Sequence, residues 1–286
     1  YQPKGCSLDR EEYDNTGDED VSPMMKVLQR HKNEKYFQLV GKGKQSCGGT
    51  GKTSTLLNLA AALTDPEGEQ TGIVPLYFYL KSLYGIRSKK YDGKNRILAY
   101  AAEQYGIERG EEHLQTLFLL DGFNEITGPS NQAQCLSDIQ EIIQDQFPND
   151  GIIITSREPL DTYIRLWEYG NFFDERQLEG WSDFFRSCYV KQLTKQQIDR
   201  YICEPKPAPD DHIWSILDTP FYLTIYRHTE LGGSGYMKRW VTPAFREHLA
   251  TNTPDKATLM LQMLLREVER FGVDEESVTS ERKCFL

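Results

Sequence analysis

Residues 46–54 read Ser-Cys-Gly-Gly-Thr-Gly-Lys-Thr-Ser, after the apolar run Phe37-Gln38-Leu39-Val40 and directly before Thr55-Leu56-Leu57-Asn58-Leu59-Ala60-Ala61-Ala62-Leu63. Gly48, Gly49 and Gly51 let the backbone turn its N–H groups inward as an anion-binding nest. A helix opening at Gly51-Lys52-Thr53 adds the positive end of its dipole. Lys52 then reaches the outer phosphates of a nucleotide, and the Thr53 hydroxyl is positioned to ligate Mg²⁺. The plainer alternative is a flexible glycine-rich turn before an ordinary helix. Gly-Lys-Thr opening an unbroken apolar helix favours the phosphate loop, with Gly48, Gly49, Thr50, Gly51, Lys52, Thr53 and Ser54 as its binding residues. One departure stands out: Ser46 occupies the position of the motif's usual first glycine.

The pattern around this loop alternates strand and helix. Ile73–Leu80 reads as a strand in which Pro75 is tolerable near an edge or at the start. Residues 84–94 read as a polar loop, and Asn95–Tyr105 as a helix closed by Gly106. Thr116–Leu120 and Gly151–Thr155 are short apolar runs suited to strands buried on both faces. Between them Cys135, Leu136, Ile139, Ile142 and Ile143 share one helical face. The expectation for residues 36–189 is therefore an α/β three-layer core with a mostly parallel sheet.

Residues 190–286 read as a small all-α helical subdomain, cut short at its end. Thr194 and Gln197 form a capping box, and further helices are expected at 211–217, 221–229 and 257–271. Residues 1–35 form an acidic tail, crowded with Asp9, Glu11, Glu12, Asp14, Asp18, Glu19 and Asp20. The tail ends in a lead-in helix from Ser22-Pro23 to His31, which either is a solvated linker or packs against the nucleotide site.

Composition narrows the partners. A formal charge of −10 argues against nucleic acid as the main partner. No apolar run approaches the ~20 residues of a membrane span, and nothing resembles a signal peptide. Six cysteines without a Cys-x-x-Cys pair fit reduced thiols in a cytoplasmic protein. Within the phosphate loop, Cys47 is either a small filler or a thiol acidified by the helix dipole. Because the first residue is Tyr1, the chain is expected to be a piece of a longer protein or a processed one.

A second chemical centre follows the 116–120 run: Asp121-Gly122-Phe123-Asn124-Glu125. A carboxylate at the carboxyl end of a parallel strand faces the crevice where α/β sheets bind ligands. Paired with the glycine loop upstream, Asp121 is the expected partner of Thr53 on Mg²⁺.

Together the glycine loop, Leu117-Phe118-Leu119-Leu120-Asp121-Gly122-Phe123-Asn124-Glu125 and Ile152-Ile153-Ile154-Thr155-Ser156-Arg157 resemble the NACHT group of STAND P-loop NTPases. The likeness runs from about residue 36 to 270, with Val190–Ile198 resembling the start of the family's helical subdomain. It implies that Arg157 is a sensor arginine near the γ-phosphate; a surface ion pair is the alternative. It implies that Pro220, in Asp218-Thr219-Pro220-Phe221-Tyr222-Leu223, packs on adenine; starting a helix is its common use. Glu125 is left to position the attacking water, since Asn124 cannot act as a base.

The resemblance further implies an ATP/ADP-binding signalling switch with slow hydrolysis, in an immune, cell-death or antiphage pathway. Self-association or partner binding would run through regions outside this chain, and the chain itself is expected to be a monomer that retains ADP. The alternatives are a P-loop kinase-like phosphotransferase, with Arg87, Lys89, Lys90, Lys94 and Arg96 imitating a lid, and a nucleotide-binding scaffold without hydrolysis.

Overall fold

A computed structural model of the chain describes residues 23–30, 34–41, 49–66, 72–85, 89–91, 93–107, 115–144, 150–168, 184–190, 193–202, 212–231 and 255–261. The chain divides into two compact units, Tyr1–Lys191 and Gln192–Leu286.

The first unit is built on a five-stranded sheet: β1 (Tyr36–Gly41), β2 (Ile73–Tyr79), β3 (Gln115–Asp121), β4 (Gly151–Ser156) and β5 (Arg186–Val190). Every pairing is parallel, and the spatial order is β2-β3-β4-β1-β5. The connection from β1 runs past β4 and β3 to the far edge, whereas β2 to β3 and β3 to β4 step back. Crossovers of one hand that travel in opposite directions put their helices on opposite faces.

The two large apolar clusters lie on those two faces. Leu117 and Leu119 of β3 and Ile153 of β4 pack with Leu56, Leu59 and Leu63 of α2 (Lys52–Thr64) and with Met24 and Met25 of α1 (Pro23–Arg30). The alternate residues, Phe118, Leu120, Ile152 and Ile154, pack with the helices of the other layer. These are α3 (Leu80–Leu83), α4 (Arg96–Tyr105), α5 (Pro129–Gln144) and α6 (Leu160–Glu168). Fully burying such a side chain contributes about 1.5–3 kcal/mol, so strand periodicity of two fixes both the layers and the register.

Pro75 sits where its missing N–H is harmless, because β2 is an edge strand. The lead-in helix is not a solvated linker: Met24 and Met25 are buried in the α2 layer. Asn95 caps α4 through Leu98 N–H, and Gly106 closes it at φ 65°.

Three details differ from the sequence reading. The strand stops at Tyr79, and Leu80 turns into α3 with its side chain fully buried. Residues 84–94 are not simply a polar loop, because Tyr84 is buried and Lys89–Tyr91 forms a 3-10 turn. Lys90 pairs with Glu103, and the Arg96 guanidinium lies 5.4 Å from the centre of the Tyr84 ring, so neither hangs as a lid residue. Arg87 lies outside the described residues. Finally, α6 and β5 had no sequence counterpart. Arg186-Ser187-Cys188-Tyr189-Val190 is too polar to announce a strand, yet it pairs with β1 along its whole length.

In the second unit, α7 (Lys195–Tyr201) starts at the Thr194–Gln197 capping box. It is followed by α8 (Trp214–Leu217) and α9 (Pro220–Leu231). Ile198, Ile202, Ile213, Leu217 and Leu223 form one apolar cluster, and Ile216, Ile225 and Leu259 another. The end of the expected 257–271 helix lies outside the described residues.

Candidate functional site

Strand parity builds the site. Continuing past Leu117 and Leu119, the next residue of β3 on the α2 face is Asp121; continuing past Ile153 on β4, it is Thr155. Tyr77 and Tyr79 share that parity on β2, and Tyr79 pairs with Asp121 in the register. All four therefore face the layer whose helix α2 starts at the glycine loop, at the carboxyl ends of the strands. The neighbours β1 and β4 send their following helices to opposite faces there, which makes this the crevice where open α/β sheets take ligands.

Gly51 is the N-cap of α2 with φ 91°, a conformation that a residue with a Cβ rarely adopts. Gly49 is likewise left-handed, at φ 86°. Lys52 Nζ donates to Thr50 Oγ1 at 3.1 Å. The amine folds back over the end of β1, since a Cβ added at Gly41 would lie 3.4 Å from it. Burial and the positive charge of Arg157 lower the Lys52 pKa, while Asp121 and Glu125 act against that shift. One lysine thus feels both candidate carboxylates and the candidate sensor arginine. Thr53 and Ser54 are exposed in the first turn of α2, and Ser46, Cys47 and Gly48 lie outside the described residues.

Asp121 is buried, and each of its carboxylate oxygens accepts one hydrogen bond. Its Oδ1 accepts from Thr155 Oγ1 at 2.6 Å and its Oδ2 from Tyr77 Oη at 2.8 Å. Gly122 N–H closes the ring by donating to Thr155 Oγ1 at 2.8 Å. Gly122, at φ 80°, then turns the chain into a 3-10 turn, Phe123–Glu125. Phe123 plugs the core against Tyr163, edge to face at 5.3 Å, and Glu125 is left exposed. Glu125 Oε2 accepts from Tyr79 Oη at 2.7 Å. Both tyrosine pKa values rise: Tyr77 through burial and its Asp121 bond, Tyr79 to about 12 through its bond to Glu125.

No protein-family model matches this chain, and no curated protein matches it significantly.

The donor set fits Mg²⁺, which takes one or two protein oxygens and leaves its other positions to phosphate and water. Asp121 retains lone pairs on both oxygens after accepting two hydroxyl protons. The Thr53 hydroxyl is exposed at the helix start. Among the described residues no group of three or more His, Cys, Asp or Glu gathers to hold a metal by protein ligands alone. Pro220 is the first residue of α9 in the second unit, where its carbonyl accepts from Thr224 Oγ1 at 2.8 Å.

The sequence missed Tyr77, Tyr79 and the bridging role of Thr155. Two tyrosines spaced by two at a strand end were the available signal, and it acquires meaning once β2 is known to pair with β3.

Proposed function

We propose that the chain binds ATP and ADP with Mg²⁺ at the ends of β1, β3 and β4, as a slowly hydrolysing nucleotide switch of the NACHT kind. The observation that carries this reading is that Asp121, pinned at the end of β3 by Thr155 and Tyr77, lies on the same sheet face as α2, whose first turn starts at Gly51-Lys52. Gly49 and Gly51 present backbone N–H groups to the phosphates. Lys52, half-desolvated, offers a charge that a phosphate stabilises more strongly than water-exposed lysine would. Thr53 and Asp121 would hold the metal, which would supply positive charge against the phosphates. Glu125 orients the attacking water, and Arg157 faces charge growing on the γ-phosphate.

Slow turnover is supported by Asn124, which cannot act as a base and leaves Glu125 alone to orient the attacking water. The role of the switch, following the same resemblance, is signalling in immune, cell-death or antiphage defence, with output through self-association or partner proteins.

The test is thermal. With ATP·Mg²⁺ at ~100 times its dissociation constant the fold gains about 2.7 kcal/mol, a shift of roughly 5–10 °C. Lys52→Ala abolishes the shift and leaves the apo melting curve in place. An unchanged shift in that variant removes the phosphate-loop assignment. Identifying the nucleotide released on denaturing freshly purified protein, with ADP expected, separates a retained-nucleotide switch from a turnover enzyme.

A further inference from the structure

Beside the carboxylates, on the edge-strand side, lies a pocket of about 280 Å³ in which six of the eight lining residues are aromatic: Tyr77, Phe78, Tyr79, Tyr91, Tyr100 and Tyr105. Among the described residues, none that lines the pocket carries a charge. The rings meet at steep angles: Tyr91 and Tyr100 at 78°, Tyr100 and Tyr105 at 70°, Phe78 and Tyr105 at 69°, with centroids 6.0–6.4 Å apart.

The hydroxyl ends are equally unusual. Tyr77 donates to Asp121, Tyr79 to Glu125 and Tyr91 to Glu103 Oε2 at 2.8 Å, while Tyr105 donates to the Tyr77 carbonyl at 2.7 Å. A phenol that donates to a carboxylate is polarised towards phenolate, which makes its ring face more negative. Lys90 Nζ lies 5.6 Å from the Tyr91 centroid, within cation–π range, while it also pairs with Glu103.

We propose that this pocket binds a small organic cation of the alkylated-ammonium class. The three carboxylates are absent from the lining and are already accepting from tyrosine hydroxyls. The described lining consequently offers aromatic rings and few acceptors, the Ser82 hydroxyl and the tyrosine oxygens. A guanidinium or primary ammonium would replace there only part of the hydrogen bonds it makes to water, whereas a quaternary ammonium has none to lose. Because Tyr77 and Tyr79 belong to both places, an occupant would sit one hydroxyl bond away from Asp121 and Glu125. The binding claim itself does not depend on nucleotide.

The experiment uses the full chain without nucleotide. Choline and its uncharged isostere 3,3-dimethylbutan-1-ol are titrated by NMR of the tyrosine ring signals. Choline is expected to saturate the shifts at a concentration at least several-fold below the isostere. Tyr100→Leu and Tyr91→Leu, each first checked for an unchanged circular dichroism spectrum, are expected to weaken choline roughly 2- to 30-fold by removing one π-wall. Equal binding of both ligands overturns the proposal in favour of a plain apolar pocket. Absence of choline binding, or choline binding that survives both substitutions, overturns it as well.

Discussion

The two arms of the candidate site are held in opposite ways. On the glycine-loop arm the hydrogen bonds are local: Lys52 to Thr50, and Thr55 Oγ1 to the Gly51 carbonyl. On the carboxylate arm they span the sheet: Thr155 to Asp121, Tyr77 to Asp121, Tyr79 to Glu125 and Gly122 to Thr155. The first arm is a conformation that glycine permits and a helix start imposes. The second is an agreement among three strands, and it costs stability when broken. Substitutions on the first arm therefore touch ligand binding, while substitutions on the second touch folding as well.

The largest expected effect sharpens this contrast at Glu125. Glu125→Gln keeps an oxygen to accept from Tyr79, so the apo melting curve stays in place, while steady-state phosphate release falls about 10²–10⁴-fold. Hydrolysis at the wild-type rate would show that Glu125 is a structural partner of Tyr79 and that another group handles the water.

Asp121→Ala comes next. It strips an acceptor from the buried Thr155 bond, which accounts for about 1.5–3 kcal/mol, and from the part-exposed Tyr77 bond, which accounts for less, so a loss of about 2–4 kcal/mol is expected in urea unfolding. Lys52→Ala, on the local arm, changes apo stability by no more than about 0.5 kcal/mol. If the two variants unfold together, the contrast between the arms is broken.

A smaller effect is set by pH. Burial and Arg157 hold the Lys52 pKa below its ordinary value of 10.5, and a phosphate beside it pushes it back up. Nucleotide binding therefore takes up a proton in the window between the lowered value and the restored one. Affinity falls as pH rises through that window, which calorimetry at several pH values and in buffers of different ionisation enthalpy would detect. Lys52→Met removes the proton uptake.

The smallest effect is at Tyr79, whose side chain is exposed. Tyr79→Phe changes stability at neutral pH only slightly, but removes a phenol that titrates near 12 rather than at its ordinary 10. The sign follows from proton binding: the folded state holds this proton more tightly. The contribution is complete below pH 10 and disappears as pH rises from 10 towards 12. An alkaline titration followed by tyrosinate absorbance should lose one late-ionising group in the variant.

Sequence alone determined the elements whose causes are short-range. The glycines at 49 and 51, the caps at Asn95 and Thr194 and the αL closure at Gly106 depend on neighbours within a turn, and each is legible from residue type. The apolar runs of β3 and β4 likewise announce strands buried on both faces, because helices cover both sides of a parallel sheet. Tertiary structure decided the rest. Arg186–Val190 is a strand because β1 offers it an edge, although Arg186 and Ser187 keep so short a run from standing out in the sequence. Gln38 is tolerated in a buried strand because Ser187 Oγ and the Leu160 N–H meet its two ends. Tyr77 and Tyr79 became partners of Asp121 and Glu125 through a pairing between strands more than forty residues apart. Those choices depend on which strands are neighbours, and spatial order is a property of the whole sheet that no local run of residues encodes.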